Sequence, residues 1–598
     1  MSEQSNKDMS KHFYRASAAD FMKIPGSPVA YSASTAIGEL FRFGTLARVA
    51  DTRLGMATGD NDKFLRRWYE VNSMQLMLDA IDREDAKKSG KKWFPYQKGG
   101  DFRKWYGNNE YCVNWEADGK EIRNFKDIST NRVRSHNYNL DYIFLEGITW
   151  NALTSGKTAA RYSNNSLFDN SGSSLFIKGN DVNLESVLAF INSNIMSAIF
   201  PLISPTLNYQ PGDISKLPAY FPDELQFEIK PLVRRLIDIS KVDWNASEIS
   251  CGFLEQPLVS SISERKTVRS SFSAFVRKSN KLTEEVLLLE EKINSSLITH
   301  YSLNEDVTFE VNLKDVSLTC NPYYRYRGSK DIDCFEDFMK SDSISELISY
   351  AIGCMMGRYS FDKPGLILAS QGETTQDYLA QIPSPRFMPD DDAILPLTDQ
   401  EWFTDDVTNR FREFVKVVWG EDTLQENLEF VAESLCLHAI KPKKSETAME
   451  TIRRYLSTQF FADHMKTYKK RPIYWLFSSG KQKAFECLVY LHRYNEGTLS
   501  RMRTEYVTPL MGKYESQIRH IEEQQETAST AEKNKLSKAL KGYQSKLNEL
   551  REFDNKLKHY ADRRISLDLD DGVKVNYGKF GDLLAKVKEI TGKAPITD

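Results

Sequence analysis

WFPYQKGGDFRKWYGN, from Trp93 to Asn108, sets aromatic rings, glycines and cations side by side in one short run. Read as surface, it has the parts of a nucleic-acid contact. Lys98, Arg103 and Lys104 can neutralise phosphates, Trp93, Phe94, Tyr96, Trp105 and Tyr106 can brace or stack, and Gly99 and Gly100 let backbone approach a ligand closely. Lys87, Lys88, Lys91 and Lys92 extend the positive charge upstream. The competing reading is an ordinary loop with core aromatics and solvated lysines. On the surface reading, the run belongs to a mixed α/β domain over 21–222 whose loops face a ligand.

Working outward, short runs broken by Gly, Asn and Pro predict strands at Tyr111 to Trp115 and Ser174 to Lys178, with Asp118-Gly119 as a hairpin turn. Leu184, Val187, Leu188, Ile191, Ile195 and Ile199 recur at helical spacing and predict one helix that Pro201 stops. Two further loops offer base-reading chemistry. Arg132, Arg134, His136 and Asn137 form one, in which arginine can read guanine or clamp phosphate. Ser204 to Asp213 is the other: prolines stiffen it, and Thr206, Asn208, Tyr209 and Gln210 project short polar and aromatic groups, Asn and Gln being able to pair bidentately with adenine. A plain Pro-rich connection fits that loop as well.

Beyond the first domain, 223–312 reads as a helical spacer, with Leu282, Val286, Leu289 and Ile293 on one face and Glu284, Glu285, Glu290 and Glu291 on wetter sides. A second mixed α/β module follows over 313–483, with helices near Ile344 to Met356 and Val407 to Val418, and KPGLILASQGET between them as a buried strand ending in a Gly turn. KKRPIYWLF, with Lys469, Lys470 and Arg471 fused to Tyr474, Trp475 and Phe477, repeats the first composition and reads either as a second DNA-backbone grip or as a core strand with a basic lip. In 484–598, Leu536, Leu540, Tyr543, Leu547 and Leu550 alternate by four and three, the seam of a coiled coil or helical hairpin. Its partner carries Ile518 and Ile521, with the turn near Thr527 to Thr530, and a β-hairpin at Ile565 to Tyr577 turns at Asp571-Gly572. Protein contact is expected at the helical hairpin, such that deleting 513–560 would cost partner binding without DNA binding. Residues 1–20 are expected to be disordered. The fold class is α+β.

Composition bounds the partners. A net charge of -3 rules out a uniformly basic coat, so any DNA footprint must be local. Basic residues gather around 87–104 and 453–483, and acids at Asp390, Asp391, Asp392, Asp399, Glu401, Asp405 and Asp406. The cysteines are scattered without a Cys-x-x-Cys spacing, which predicts reduced thiols and no metal centre. No long apolar run is present, and a cytoplasmic protein without membrane contact is expected.

Longer strings point to a family. DFMKIPGSPVAY (Asp20 to Tyr31), GMATGDNDKFLRRWYEV (Gly55 to Val71), LEGITWNALTSG (Leu145 to Gly156), SPTLNYQPGDISKLP (Ser204 to Pro218), NPYYRYRG (Asn321 to Gly328), ELISYAIGCMMGRYSFDKPGLILASQGET (Glu346 to Thr374) and KKRPIYWLFSSGK (Lys469 to Lys481) resemble, in this order, segments of the adenine-specific DNA methyltransferases of the PglX type, from the phage-defence systems called BREX. The resemblance implies adenine-N6 methylation with S-adenosylmethionine. Such enzymes need a Gly-rich cofactor turn and an (Asn/Asp)-Pro-Pro-(Tyr/Phe) loop for the flipped adenine. Neither stands in working form: Asn321-Pro322-Tyr323-Tyr324 has Tyr323 in place of the second proline, and it reads as a structural turn. The family's catalytic domain should precede the segment starting near Phe21, where only about twenty residues stand, too few for a domain. The resemblance therefore implies the specificity part of such an enzyme, binding no cofactor itself and not catalytic alone. The expected partners are duplex DNA, a methyltransferase catalytic domain and other BREX proteins. Lys91, Lys92, Lys98, Arg103, Lys104, Trp105, Arg132, Arg134, Asn137, Asn208, Gln210, Lys469, Lys470 and Arg471 are the expected DNA contacts. The alternative is an interaction scaffold of a defence complex with weak, nonspecific DNA affinity.

Overall fold

A computed structural model describes residues 21–27, 33–152, 157–204, 208–260 and 266–595. The stretch 1–20 and Thr206 lie outside the described residues. The fold is α+β, with three small sheets. The chain forms two compact units: Met1–Leu65, Met77–Trp244 and Ser279–Ser329 make the first, and Arg66–Leu76, Asn245–Lys278 and Lys330–Asp598 the second.

In chain order the first unit contains β1 (Ala50–Arg53), β2 (Trp93–Gln97), β3 (Tyr111–Asn114), α1 (Glu116–Arg123), β4 (Gly147–Trp150), β5 (Ala160–Ser163), β6 (Leu167–Phe168), β7 (Ser174–Ile177), α2 (Leu184–Asn192), α3 (Asn194–Ile203), α4 (Asp223–Trp244) and the C-terminal part of α5 (Val268–His300). One antiparallel sheet runs β1-β7-β4-β5, with Ala50 opposite Ile177 and Gly147 opposite Ser163. In another sheet β2 pairs antiparallel with β3, Trp93 opposite Asn114, and parallel with β6. All side chains of β4 are buried, which its apolar run GITW anticipates. The core of the first sheet gathers Ile148, Trp150 and Leu175 with Val187, Ile191, Leu236, Val286 and Ile293 from α2, α4 and α5. Within the segment 223–312, α4 and the C-terminal part of α5 supply core faces to the first unit.

Several local expectations are corrected. The apolar series from Leu184 to Ile199 is two helices, not one. Ser193 is extended, α2 and α3 meet at 79°, and Pro201 sits inside α3 instead of ending it. Asp118-Gly119 is no hairpin turn: it lies in α1, where Ala117, Asp118 and Gly119 take positive φ, and a Cβ on Gly119 would stand 2.5 Å from the Trp115 ring. Glu290 is not on a wet side of α5 but buried. No single helix among the described residues is long and apolar enough to cross a membrane.

The second unit packs α6 (Phe335–Met355), α7 (Val407–Trp419), α8 (Leu424–His438), α9 (Ala448–Thr458) and α10 (Phe460–Thr467) with a sheet ordered β9-β10-β8, from β8 (Ile394–Pro396), β9 (Tyr474–Ser478) and β10 (Glu486–Tyr490). α7 stands where the apolar spacing predicts it, while α6 begins at Phe335, before the expected start near Ile344. KPGLILASQGET is buried at Ile367, Leu368 and Ala369 but forms no strand. α11 (Thr508–Thr527) and α12 (Thr530–Asp562) make the helical hairpin, with the turn at Ala528 and Ser529. Its base belongs to the unit's core through Leu510, Tyr514, Leu547, Leu550, Phe553 and Leu557, while most of Thr530 to Leu540 is exposed. Deleting 513–560 would therefore remove core as well as arm. The β-hairpin expected at Ile565 to Tyr577 is instead a 3-10 turn followed by α13 (Gly572–Gly578).

Candidate nucleic-acid interface

The Trp93–Asn108 segment is a keystone of the first unit and not a surface. Trp93, Phe94, Tyr96 and Trp105 are buried as β2 and its exit, and the cations turn inward. The Arg103 guanidinium donates to Asp243 Oδ2 on α4 at 2.7 Å, to Thr319 Oγ1 at 3.0 Å and to the carbonyls of Tyr106 and Ser240, and it lies over the Trp244 ring. Lys104 Nζ donates to Glu290 Oε2 at 2.6 Å, and Trp105 Nε1 to Oε1 of the same carboxylate at 2.7 Å. Each buried charge thus has a counter-charge, and Arg103, Asp243 and Glu290 have further hydrogen bonds, the condition for keeping them out of water. Gly107, at φ 127, lets the chain pass: a Cβ there would stand 2.5 Å from Arg103 Nε. Arg103, Lys104 and Trp105 therefore present no group to a phosphate, which corrects the reading of this run as an interface. Lys98 is half-buried and 3.3 Å from Asp169, and Lys92 lies over Trp93. Lys91 and Lys92 are partly covered.

Arg132 and Arg134 have the opposite environment. They lie on a finger that leaves the first unit after α1 and returns along Lys126 to His136. Arg134 N donates to Phe125 O and Asp127 N to Arg132 O, both at 2.8 Å, closing its stem. At the tip the Asp127 carboxylate accepts from the backbone N–H and hydroxyl of both Ser129 and Thr130, and these donors hold its pKa down to about 2. Asn131 takes a left-handed φ of 54° to turn the chain back. The return strand is stapled to the GMATGD segment: Ala57 and His136 exchange two hydrogen bonds at 2.8 Å. Gly59 makes this fit possible, because it has φ +76° and a Cβ there would come within 2.8 Å of the Arg134 carbonyl carbon.

Arg132 and Arg134 are exposed, as are Lys120 and Lys126, and none of the four makes an ion pair within the described residues. Arg134 lies 5.1 Å over the Phe125 ring, with Lys63 4.8 Å from the same ring and paired to Glu121. An open groove of ≈ 710 Å³ runs between Lys63, Lys120, Phe125 and Lys126, with Glu116 and Glu121 also on its wall. His136 stacks on exposed Tyr138, ring centroids 5.6 Å apart, and the buried Oδ1 of Asn137 has no partner among the described residues while its Nδ2 donates to Ser135 Oγ. The arrangement joins unpaired cations to aromatic faces on a stiff support, which suits a polyanion carrying π-systems. Lys63, Phe125, Lys126 and Tyr138 were not among the sequence candidates. The signal for them was the Asp-x-Ser-Thr pattern at 127–130, a side-chain-closed turn.

The remaining candidates stand apart. Gln210 Nε2 donates to Asn208 Oδ1 at 2.7 Å, and Tyr209 between them stacks on Phe200 while its carbonyl accepts from Trp150 Nε1. In the second unit KKRPIYWLF is a core strand with a basic lip: β9 is buried from Tyr474 to Phe477, Lys469 and Lys470 are exposed at positive φ, and Arg471 lies 4.0 Å from Glu70. Asn321 is buried, and its amide donates to the carbonyls of Leu313 and Val316 while Oδ1 accepts from Tyr323 N. Its hydrogen-bonding capacity is spent on the turn, so NPYY does not fit an adenine-holding loop. No group of three His, Cys, Asp or Glu among the described residues is placed to hold a metal.

No family model matches the chain. It is 48% identical over 580 residues to the adenine-specific methyltransferase BrxX of Escherichia coli O9:H4 (strain HS), covering 96% of this chain and 46% of that protein. It is 38% identical over 578 residues to the adenine-specific methyltransferase PglX of Lacticaseibacillus casei (strain Zhang), covering 95% of this chain and 45% of that protein. The chain spans about half the length of the curated relatives it matches. Across nearly all of its residues, then, this chain is a homologue of the BrxX and PglX adenine-specific methyltransferases, aligned with somewhat less than half of each.

Proposed function

We propose that this chain binds duplex DNA as the specificity part of a BREX-type adenine-N6 methyltransferase, with the finger at Lys126 to Tyr138 as its principal contact. The observation that carries the reading is the set of exposed, unpaired cations, Lys120, Lys126, Arg132 and Arg134, grouped around a rigid aromatic-lined turn in a chain whose net charge is -3. A local footprint of this kind supplies phosphate contacts without a basic coat. Lys469 and Lys470, exposed on the second unit, are assigned a weaker, sequence-independent grip. Asn208 and Gln210 remain base-reading candidates through their paired amides. S-adenosylmethionine and methyl transfer are assigned to the part of the relatives' length that this chain does not match. Duplex DNA and other BREX proteins are the partners.

Binding of the full chain to duplex DNA, measured across a salt series with methyl transfer counted in parallel, tests this. Affinity should fall steeply with salt, no methyl groups should be transferred, and R132A/R134A should lower the slope of log K against log salt by about 2. Salt-insensitive binding, or an unchanged slope in the double variant, contradicts the assignment.

A further inference from the structure

Ile128 is the most exposed large apolar side chain among the described residues, at 104%, and it stands at the apex of the finger. Single apolar residues on a surface are ordinary. This one differs in its mounting. The Asp127 carboxylate collects the donors of Ser129 and Thr130, and the Asp127 and Asn131 amides close the loop, so the turn that carries Ile128 is fixed before any partner arrives. A turn closed in this way needs no apolar side chain at that position, and none of the described residues covers it. Lys126 and Arg132, both exposed and without ion pairs among the described residues, flank the apex on the two strands of the stem, and Val133 is 44% exposed beside them.

We infer that Ile128 is a wedge that enters the duplex between base pairs while the flanking cations hold the phosphates on either side. The inference rests on the DNA-binding reading above. Charge decides the partner class: an apolar tip between unpaired cations suits a base stack between two phosphate chains, since apolar wedges unstack base steps where cations anchor the backbone. Rigidity matters for the same reason. A flexible tip would lose conformational freedom on insertion, whereas a tip already braced by Asp127 does not.

The test uses two 30-bp duplexes, one fully paired and one with a central mismatch, because inserting a wedge costs least where pairing is already weakened. The full chain should bind the mismatched duplex roughly tenfold more tightly than the paired one, Ile128→Ala should reduce that preference to less than about twofold, and Ile128→Met should retain it. Circular dichroism of the variants should match the parent, since the side chain is in solvent. Equal affinity of the parent for the two duplexes, or a preference that survives Ile128→Ala, overturns the wedge and leaves the DNA-binding reading standing. Absence of salt-sensitive binding to either duplex overturns both.

Discussion

The run from Trp93 to Asn108 and the finger from Lys126 to Tyr138 share a composition and differ in everything else. Each mixes arginine, lysine and aromatic rings within the first unit. In the former, carboxylates from two other elements, Asp243 on α4 and Glu290 on α5, close on Arg103 and Lys104, and the rings become core. In the latter, no acid among the described residues pairs with Arg132 or Arg134, and the carboxylate within the tip is spent on its own turn. What separates a structural cation from one open to a ligand is therefore the presence of a distant counter-charge, not the local sequence.

The largest effect expected from this contrast is on folding. Arg103→Ala leaves the buried Asp243 carboxylate without its counter-charge and with only the Thr319 and Cys320 amides, and Glu290→Ala strands both Lys104 and Trp105, so each should cost about 3–5 kcal/mol in urea unfolding, the range for a buried pair that loses one member. R132A/R134A should stay within about 0.5 kcal/mol of the parent in the same assay. A small loss at Arg103 together with a large one at Arg132 and Arg134 would invert the comparison.

Gly59 gives an intermediate effect. Alanine there must hold φ near +76° and press its Cβ on the Arg134 backbone, so Gly59→Ala should cost about 1–3 kcal/mol and displace the finger, lowering DNA affinity while the Arg103 network is unchanged. Unfolding and binding measured on one preparation would check both halves. A variant with parental stability and affinity would show that the finger does not depend on this seat.

The smallest effect concerns the tip. Asp127 has its folded pKa depressed from 3.8 to about 2, so its stabilising contribution is present above the ordinary carboxylate value and is lost as pH falls through about 2. Protection of the Ser129, Thr130 and Asn131 amides, taken relative to the intrinsic exchange rate at each pH, should fall over that acid range, and at neutral pH in Asp127→Ala, with protection in β2 unchanged. Uniform loss of protection across both regions would mean that the finger is not an independently braced element.

Much of the architecture could be read directly from periodicity. α6, α7 and the helical hairpin turning at Ala528 and Ser529 follow from apolar spacing, and β3 and β7 from short apolar runs between turn residues. What escaped was non-local. Asp243 lies 140 residues from Arg103, and Glu290 lies 186 from Lys104, so no window of sequence shows that these cations are already satisfied. The break at Ser193 escaped because the apolar series runs on through it. Asp571-Gly572 misled because the same pair that makes a hairpin turn also starts a helix when Gly572 takes φ 77 as the first residue of α13. The finger was half legible: Arg132, Arg134 and Asn137 were singled out by residue type, while the turn that presents them needed the Asp127 pattern and the Gly59 seat to be read together.

The central claim is that DNA is met by the finger and not by the buried aromatic run. Hydroxyl-radical footprinting of side chains, with and without duplex DNA, tests it most directly. DNA should reduce oxidation at Phe125, Ile128, His136 and Tyr138, and leave Trp93, Phe94 and Trp105 equally unreactive in both states. Unchanged reactivity at Ile128 and Tyr138 under conditions where DNA is bound would contradict the account.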